Sequence, residues 1–529
     1  EIEVPASGSY VANGFLVHNI RRGANMGILN SDHPDVEKFI KAKEGNKALR
    51  NFNISVMMMP EFWECYKTNR PYPLVNPRTK KIVQEIDPRK FLDTLVYQAW
   101  ESAEPGVLFF DRINEFNPFL KSLGPIFSTN PCSEVLLYPR ESCNLGSINV
   151  WSFAKKTNSQ QVRFDWEELN KIVRTATRFL DNVIDVNKYP LKEIEEMTLN
   201  TRKIGLGVMG LGDLLYELRI PYNSKEGLKF MERLMELVNY YSKAASMELA
   251  KERGRMPYFD KSFYKEGKLP FAGFRDKKSW HFDWLKLAKD IKRYGIRNSY
   301  TTVIAPTGSL SMLAGCSSGI EPVYSLVFEK SVVIGSFYYV DPVFEEQMQK
   351  EGLMDEALIK DVAALSGSVQ KISYIPEKFK KMLVTALDIT PQEHIKVLAT
   401  FQKWVDSSIS KTNNFPAEAT VDDVKEAYFL AYELGCKGVT VYRDKSLKKQ
   451  VLISGGTKRR QEEKGKLVSI KDEKVKGLTI YHQAGAGETD SLGLSPAQEI
   501  LIAEDGVKNC PVCDTKLVRQ EGCTKCPAC

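Results

Sequence analysis

Histidine is scarce in this chain, five in 529 residues, and none stands beside Cys132 or Cys143. A cysteine nucleophile activated by a neighbouring imidazole is therefore disfavoured. No uninterrupted apolar run approaches the roughly 20 residues that a membrane-spanning helix needs. The opening "EIEVPASGSYVANGFLVHN" has no basic segment leading into an apolar one, the mark of a secretory signal. Charge of one sign is not in strong excess: 74 Lys and Arg against 67 Asp and Glu leave +7. Much of that excess sits in one late stretch, so it does not argue for nucleic acid. The cysteines do not form an evenly stapled scaffold, since five of the ten crowd the last twenty residues. Internal repeats are absent. The expected protein is soluble and cytoplasmic, with no membrane partner.

The chain does carry enough apolar residues, 43%, for a sizeable core. Its length allows two or three domains, or one large catalytic domain with appendages. The first nineteen residues read as short strands with turns at Ser7-Gly8 and Asn13-Gly14. Beyond them strands alternate with long helices to about Leu447, the pattern of an α/β domain. One helix runs through "NSKEGLKFMERLMELVNYYSKAASMELAKERG", capped by Asn223 or Ser224 and stopped by Gly254. Its stripe is Leu228, Met231, Leu234, Met235, Val238 and Tyr241. "SYTTVIAPTGSLSML" predicts a strand, a Pro-Thr-Gly turn and a helical turn. Residues 448–509 are charged and Gly-rich, the composition of a mobile linker with room for a short strand near Leu478 to Tyr481.

Four motifs carry chemistry. Cys510-x-x-Cys513, nine residues, then Cys523-x-x-Cys526 matches two knuckles holding a tetrahedral zinc through four thiolates. Cys529 is left over, and Cys526/Cys529 is an alternative ligand pair. The turn "APTGSLS" offers backbone N–H groups and the hydroxyls of Thr307 and Ser309 as a phosphate cradle. It lacks the Gly-Lys-Ser/Thr ending of a Walker motif. "TRKIGLGVMGLGDLL" is rich in glycine, but the apolar residues between the glycines favour close helix packing over dinucleotide binding. Finally, "NPCSEVLLYPRESCNLGSINV" sets Cys132 between Asn130 and Glu134, with Cys143 eleven positions on. A carboxylate there can act as a base toward a substrate hydroxyl. The thiol can be a nucleophile, a ligand, a disulfide partner, a hydrogen-atom donor or simply buried.

"NPCSE", "ESCNLGSINV", "TRKIGLGVMGLGDLL", "APTGSLSMLAGCSSGIEP" and "KGVTVYRDKSL", with "RRGANMGILNSDHPDVEKFI" near the start, resemble the large catalytic subunit of ribonucleotide reductase. The gap between the two cysteines, the "VTVYRD" ending and the cysteine-rich tail point to its adenosylcobalamin-dependent class. The resemblance covers residues 20–447 and the tail. It implies the C-terminal portion of a ten-stranded α/β barrel, then the linker 448–509 and a small zinc-binding module, 510–529. It implies that Cys132 becomes the thiyl radical that removes the ribose 3′-hydrogen and that Glu134 takes the 3′-hydroxyl proton. Asn130 would hold the ribose hydroxyls, and Cys143 would be one of two reducing thiols. Asn130, Pro131, Cys132, Ser133 and Glu134 would line the substrate, and Pro306, Thr307, Gly308, Ser309 and Leu310 would cradle its phosphates. Arg21, Arg22, Gly23, Ala24, Asn25 and Met26 would form the loop through which a bound dNTP effector selects the base. Cys529 would begin a redox pair that a thioredoxin-like donor re-reduces. A homodimer is compatible with the resemblance, and the zinc-bearing tail leans toward ribonucleoside diphosphates as substrates.

Residues 1–19 depart from that family. "GSYVANGFLVHN" resembles the C-terminal end of an intein, with His18 assisting cyclisation of Asn19 to cut the next bond. Splicing needs Cys, Ser or Thr after the Asn, and Ile20 stands there. The other reducing cysteine and the first barrel strands would lie upstream, so the expected activity requires a missing N-terminal half. Two other functions compete: a zinc-ribbon nucleic-acid-binding protein, and an inactive remnant of intein processing. Under the first of these, "NPCSE" and "APTGS" would have no purpose.

Overall fold

"GLGVM" is an apolar run without alternation, as suits a strand covered on both faces, whereas "FNISVMM" alternates through Asn53 and Ser55 before an apolar end. They form the strands Phe52–Met58 and Gly205–Met209, and every residue of the latter is buried. The computed structural model describes residues 24–46, 49, 52–142, 144–157, 161–332, 335–444 and 446. It also gives the strands Ser9–Ala12, Phe15–His18, Leu467–Lys471, Thr479–Gln483, Val518–Gln520 and Cys523–Lys525.

Eight extended segments follow one another in space. Leu145–Asn149 pairs parallel with Gly205–Met209, and Leu206 bridges parallel to Thr302. Ile304 bridges parallel to Ile409, whose segment runs into the strand Thr412–Phe415. That strand is parallel to Gly438–Arg443. Gly438–Arg443 then pairs antiparallel with Gly106–Phe109, which is parallel to Phe52–Met58 and through it to Asn25–Asn30. Five segments thus run one way and three the other. Helices such as Trp166–Val186, Lys225–Arg253 and Val421–Glu433 make the crossovers between parallel neighbours. This is the expected α/β architecture.

Local signals place several of these elements. Ser224 caps the helix Lys225–Arg253 by accepting the Gly227 N–H at 2.9 Å, and Gly254 ends it with φ +90°. Met231, Leu234, Met235 and Val238 of the predicted stripe are buried. Thr390 with Glu393, and Thr420 with Asp423, are reciprocal capping boxes.

The structure differs from expectation in two places. The glycines of 201–215 do serve packing, but Gly205 and Gly207 lie in a strand rather than between helices. A Cβ on Gly207 would stand 2.4 Å from the Val303 carbonyl oxygen. The expected strand at 300–305 is reduced to single bridges at Thr302 and Ile304. The reason lies in a side chain: the Thr301 N–H donates to the Asp406 carboxylate at 2.8 Å, so that group is lost to the ladder.

A second, smaller core lies among residues 323–383, with Leu326, Phe344, Leu358, Val362 and Leu383 buried. Its hairpin, Val327–Val332 with Gly335–Val340, is extended by Thr479–Gln483 and then Leu467–Lys471 into a four-stranded sheet. The segment read as a linker therefore supplies two strands, one of them, Thr479–Gln483, overlapping the expected strand at Leu478 to Tyr481. Ser9–Ala12 and Phe15–His18 form the expected antiparallel hairpin. No helix of the described residues is long and apolar enough to cross a membrane.

Candidate active site

Asn130 shapes the loop that carries Cys132. Ser128–Thr129 and Leu136–Leu137 pair antiparallel, and the chain between them must turn within six residues. The Asn130 side-chain oxygen accepts the Val135 N–H at 2.9 Å, and its backbone carbonyl accepts the Ser133 N–H at 3.0 Å. Ser133 takes a left-handed conformation, φ +66°. The turn lifts Cys132 to an exposed apex and folds Glu134 inward, where it is 2% exposed.

Three hydrogen bonds fasten this loop to its neighbours. Asn53 Nδ2, on the strand Phe52–Met58, donates to the Pro131 carbonyl at 2.8 Å. On the other side the Ser408 N–H donates to the Glu134 carbonyl at 2.8 Å, and the Leu136 N–H donates to Ser407 Oγ at 3.0 Å. Glu134 Oε2 is buried with no protein partner. Burial pushes the Glu134 carboxyl above its ordinary range, against hydrogen bonds from its own backbone and from Asn130. A carboxyl so placed suits the receipt of a proton.

Beneath the 406–408 segment lies a buried polar network. Asp406 Oδ2 accepts from Lys243 Nζ at 2.6 Å, both side chains being fully buried. Lys437 Nζ donates to the carbonyls of Asp406 and Ser407 at 2.5 and 2.7 Å. Burial pushes the Lys437 ammonium down to about 7.

The Pro-Thr-Gly turn is close to this network in connectivity. Ile304 N–H donates to the Ser408 carbonyl at 3.3 Å, so two backbone hydrogen bonds link its strand to Glu134. Pro306 is half-buried, and Thr307 opens the helix Gly308–Ala314 with φ +55°. Thr307 Oγ1 accepts the Gly319 N–H at 2.7 Å, which leaves the hydroxyl hydrogen to donate. Gly308, Ser309 and Leu310 are exposed. The loop after this helix is anchored by Glu321, whose carboxylate accepts the Thr412 N–H at 2.6 Å and Lys411 Nζ at 2.8 Å.

Of the effector/substrate loop, Ala24 and Asn25 are exposed and Met26 is half-buried. Met26 is the register partner of Asn53, the residue that holds Pro131. Cys143, Arg21, Arg22, Gly23, Asn19, Cys510, Cys513, Cys526 and Cys529 lie outside the described residues. His18 ends one strand, and Cys523 begins another. Among the described residues no group of His, Cys, Asp and Glu could hold a metal ion.

Asn53, Ser407 and Ser408 are not singled out by the sequence, and Lys437 enters only as the first residue of "KGVTVYRDKSL". They stand far from Cys132 along the chain, and "NFNIS" or "VDSSIS" carries no motif of its own.

An exposed thiol at a loop apex, two residues from an inward carboxyl and tied to two opposed sets of parallel strands, marks a site for thiol chemistry on an α/β scaffold. The chain belongs to the ribonucleotide reductase barrel-domain family, whose model matches residues 17–442. It is 45% identical over 453 residues to a vitamin B12-dependent ribonucleoside-diphosphate reductase of Thermoplasma acidophilum, covering 85% of this chain and 55% of that protein. A protein of the same description from Mycobacterium tuberculosis is 39% identical over 440 residues, covering 83% of this chain and 59% of its own. The solved alpha subunit of an Actinobacillus ureae class Id ribonucleotide reductase shares the fold, with TM-score 0.62 and 22% identity. That match covers 81% of this chain and 72% of the other. The chain spans about half the length of the curated relatives it matches.

Proposed function

We propose that the chain forms the substrate-reducing part of an adenosylcobalamin-dependent ribonucleoside-diphosphate reductase, making 2′-deoxyribonucleotides for DNA synthesis in the cytoplasm. One observation carries the reading: an exposed Cys132 stands two residues from a buried Glu134, whose carboxyl burial pushes above its ordinary range, on a loop tied to the Pro-Thr-Gly turn. The B12 dependence named for the relatives accords with it.

Cys132, exposed at the loop apex, is the residue that would face the cofactor. Adenosylcobalamin, when bound, supplies the radical that reaches the Cys132 sulfur. Cys132 then takes the ribose 3′-hydrogen, forming S–H as C–H breaks. Glu134 accepts the 3′-hydroxyl proton, and burial favours its neutral form. The 2′-hydroxyl leaves as water. Cys143 and a second thiol provide two electrons and two protons and end as a disulfide, and Cys132 returns its hydrogen to C3′. Asn130 can hold the ribose through its amide, whose oxygen accepts from Val135 and keeps a second lone pair. Residues 306–310 receive the phosphates, and the 21–26 loop reports a bound dNTP through the Met26–Asn53 register.

The tail is read as a zinc module, since two Cys-x-x-Cys pairs provide the four thiolates that a closed site takes. Cys529 would pass electrons from a thioredoxin-like protein. Residues 1–19 are read as an intein remnant, with His18 closing its hairpin just before Asn19.

The test is to supply the N-terminal half of the enzyme, adenosylcobalamin and a dithiol, and to measure deoxynucleotide formation from diphosphates and triphosphates. Turnover is expected with diphosphates and lost in Cys132→Ser. Turnover that survives that substitution would overturn the assignment.

A further inference from the structure

Away from the Cys132 loop, the first turns of the helix Lys225–Arg253 and the 278–281 loop border an open cavity of about 540 Å³. That volume is in the range of small-ligand sites. No residue of its wall belongs to the segments that form the candidate active site.

Its walls combine two chemistries. Phe230 and Trp280 present aromatic surface, and Lys229, Arg233 and Lys278 are exposed cations. Among the described residues no carboxylate lies at ion-pair distance from any of these three. Of the two acidic wall residues, Glu232 is already engaged by Lys403 at 2.6 Å, leaving Glu226 against three cations. The cavity is therefore net positive.

The site is also formed in advance. The fully buried Glu236 accepts the His281 N–H at 2.8 Å, His281 Nδ1 at 2.6 Å and Trp284 Nε1 at 3.0 Å, which pins the loop to the helix. Trp280 donates from Nε1 to the Gly273 carbonyl at 2.8 Å and stacks on Phe274 with ring centroids 5.7 Å apart. The Arg233 guanidinium lies 4.4 Å over the Trp166 ring, so its direction is set.

We propose that this cavity binds a nucleoside monophosphate or a planar aromatic anion of the same size, its ring among Phe230 and Trp280 and its acid group on Arg233, Lys229 and Lys278. An aromatic wall rewards a flat ring whatever its substituents. Guanidinium and ammonium groups without a carboxylate partner in the wall reward a phosphate. Neither feature alone asks for a single molecule; together they do.

The experiment is equilibrium dialysis of the full chain against adenosine 5′-monophosphate, adenosine and inorganic phosphate separately. The monophosphate is expected to bind, with adenosine and phosphate each at least about tenfold weaker. Arg233→Ala, Lys278→Ala and Trp280→Leu should each weaken it by about tenfold. Lys278→Ala alters an exposed side chain, so its thermal midpoint should stay unchanged and confirm that it folds, while Arg233→Ala should melt only slightly lower as its contact with the Trp166 ring is lost. Three results would overturn the proposal: no binding of the monophosphate at millimolar concentration, adenosine binding as tightly, or binding unaltered by Arg233→Ala. The last would mean that the nucleotide sits elsewhere, the Pro-Thr-Gly turn included. The outcome is independent of whether the chain reduces nucleotides.

Discussion

Ser408 is hydrogen-bonded through both of its backbone groups: its N–H donates to the Glu134 carbonyl at 2.8 Å, and its carbonyl accepts from Ile304 at 3.3 Å. One residue thus stands between the loop that bears Cys132 and the strand that leads into the Pro-Thr-Gly turn. Ser407, beside it, receives the Leu136 N–H on its hydroxyl. The candidate chemistry is held by this short strap on one side and by Asn53 of the strand Phe52–Met58 on the other.

Ser407→Ala should loosen the Cys132 loop without unfolding the barrel. The Leu136 N–H, in a buried residue, would lose its acceptor, at about 1–3 kcal/mol for an unsatisfied buried group. The check is the alkylation rate of Cys132 together with hydrogen exchange at Leu136, both of which should rise. An unchanged exchange rate at Leu136 would show that the hydroxyl is not the anchor.

Glu134→Gln should separate stability from activity. Burial raises the Glu134 carboxyl, so the folded state binds its proton more tightly than the unfolded chain does. Stability is then lost as pH rises from the unfolded pKa through the folded one, and the penalty persists above it. The amide carries no such penalty, so the variant should melt higher than wild type at pH 7 and no higher at low pH. Deoxynucleotide formation by the completed enzyme should fall by about 10²–10⁴-fold with loss of the base. A variant that melts lower at every pH would contradict this account.

Lys437 supplies the opposite sign. Burial lowers its folded pKa to about 7, well under the ordinary lysine range. Between those values the unfolded chain binds the extra proton, so this group's contribution to stability grows with pH from about 7 upward. Lys437→Met removes that contribution. Denaturant unfolding of both proteins from pH 7 to 9 should therefore show a flatter pH dependence in the variant, by up to about 1.4 kcal/mol per pH unit for one proton. Parallel profiles would place the lysine charge elsewhere.

Gly207→Ala and Gly308→Ala form a contrasting pair. A Cβ at 207 meets the Val303 carbonyl at 2.4 Å, whereas at 308 nothing lies within 4 Å. The first should cost about 1–3 kcal/mol or more as the strands are forced apart, and the second should leave the thermal midpoint within about 2 °C. Equal midpoints would mean that the strand pair has room to yield.

How much of this could be read from the residues depends on range. Chain-local information was legible: the capped helix ending at Gly254, the first hairpin, and the crowding of Cys132 by Asn130 and Glu134. Each rests on contacts within a few positions, such as Ser224 to Gly227 or Asn130 to Val135. The α/β alternation was legible too, because apolar period follows from which faces are covered. The glycines of 205–212 showed close packing but not its partner, since the atom that excludes a Cβ at Gly207 belongs to Val303.

The amino-acid order by itself determined the chemistry on offer: a thiol, a carboxylate and an amide within five residues, and a turn able to receive phosphate. Only the tertiary structure decided that the carboxyl is buried while the thiol is exposed, and that Asn53, Ser407 and Ser408 fasten the loop between two strand sets. The reason is physical. Protonation state and orientation come from desolvation and from hydrogen bonds between residues 78 to 271 positions apart, and no local pattern encodes those.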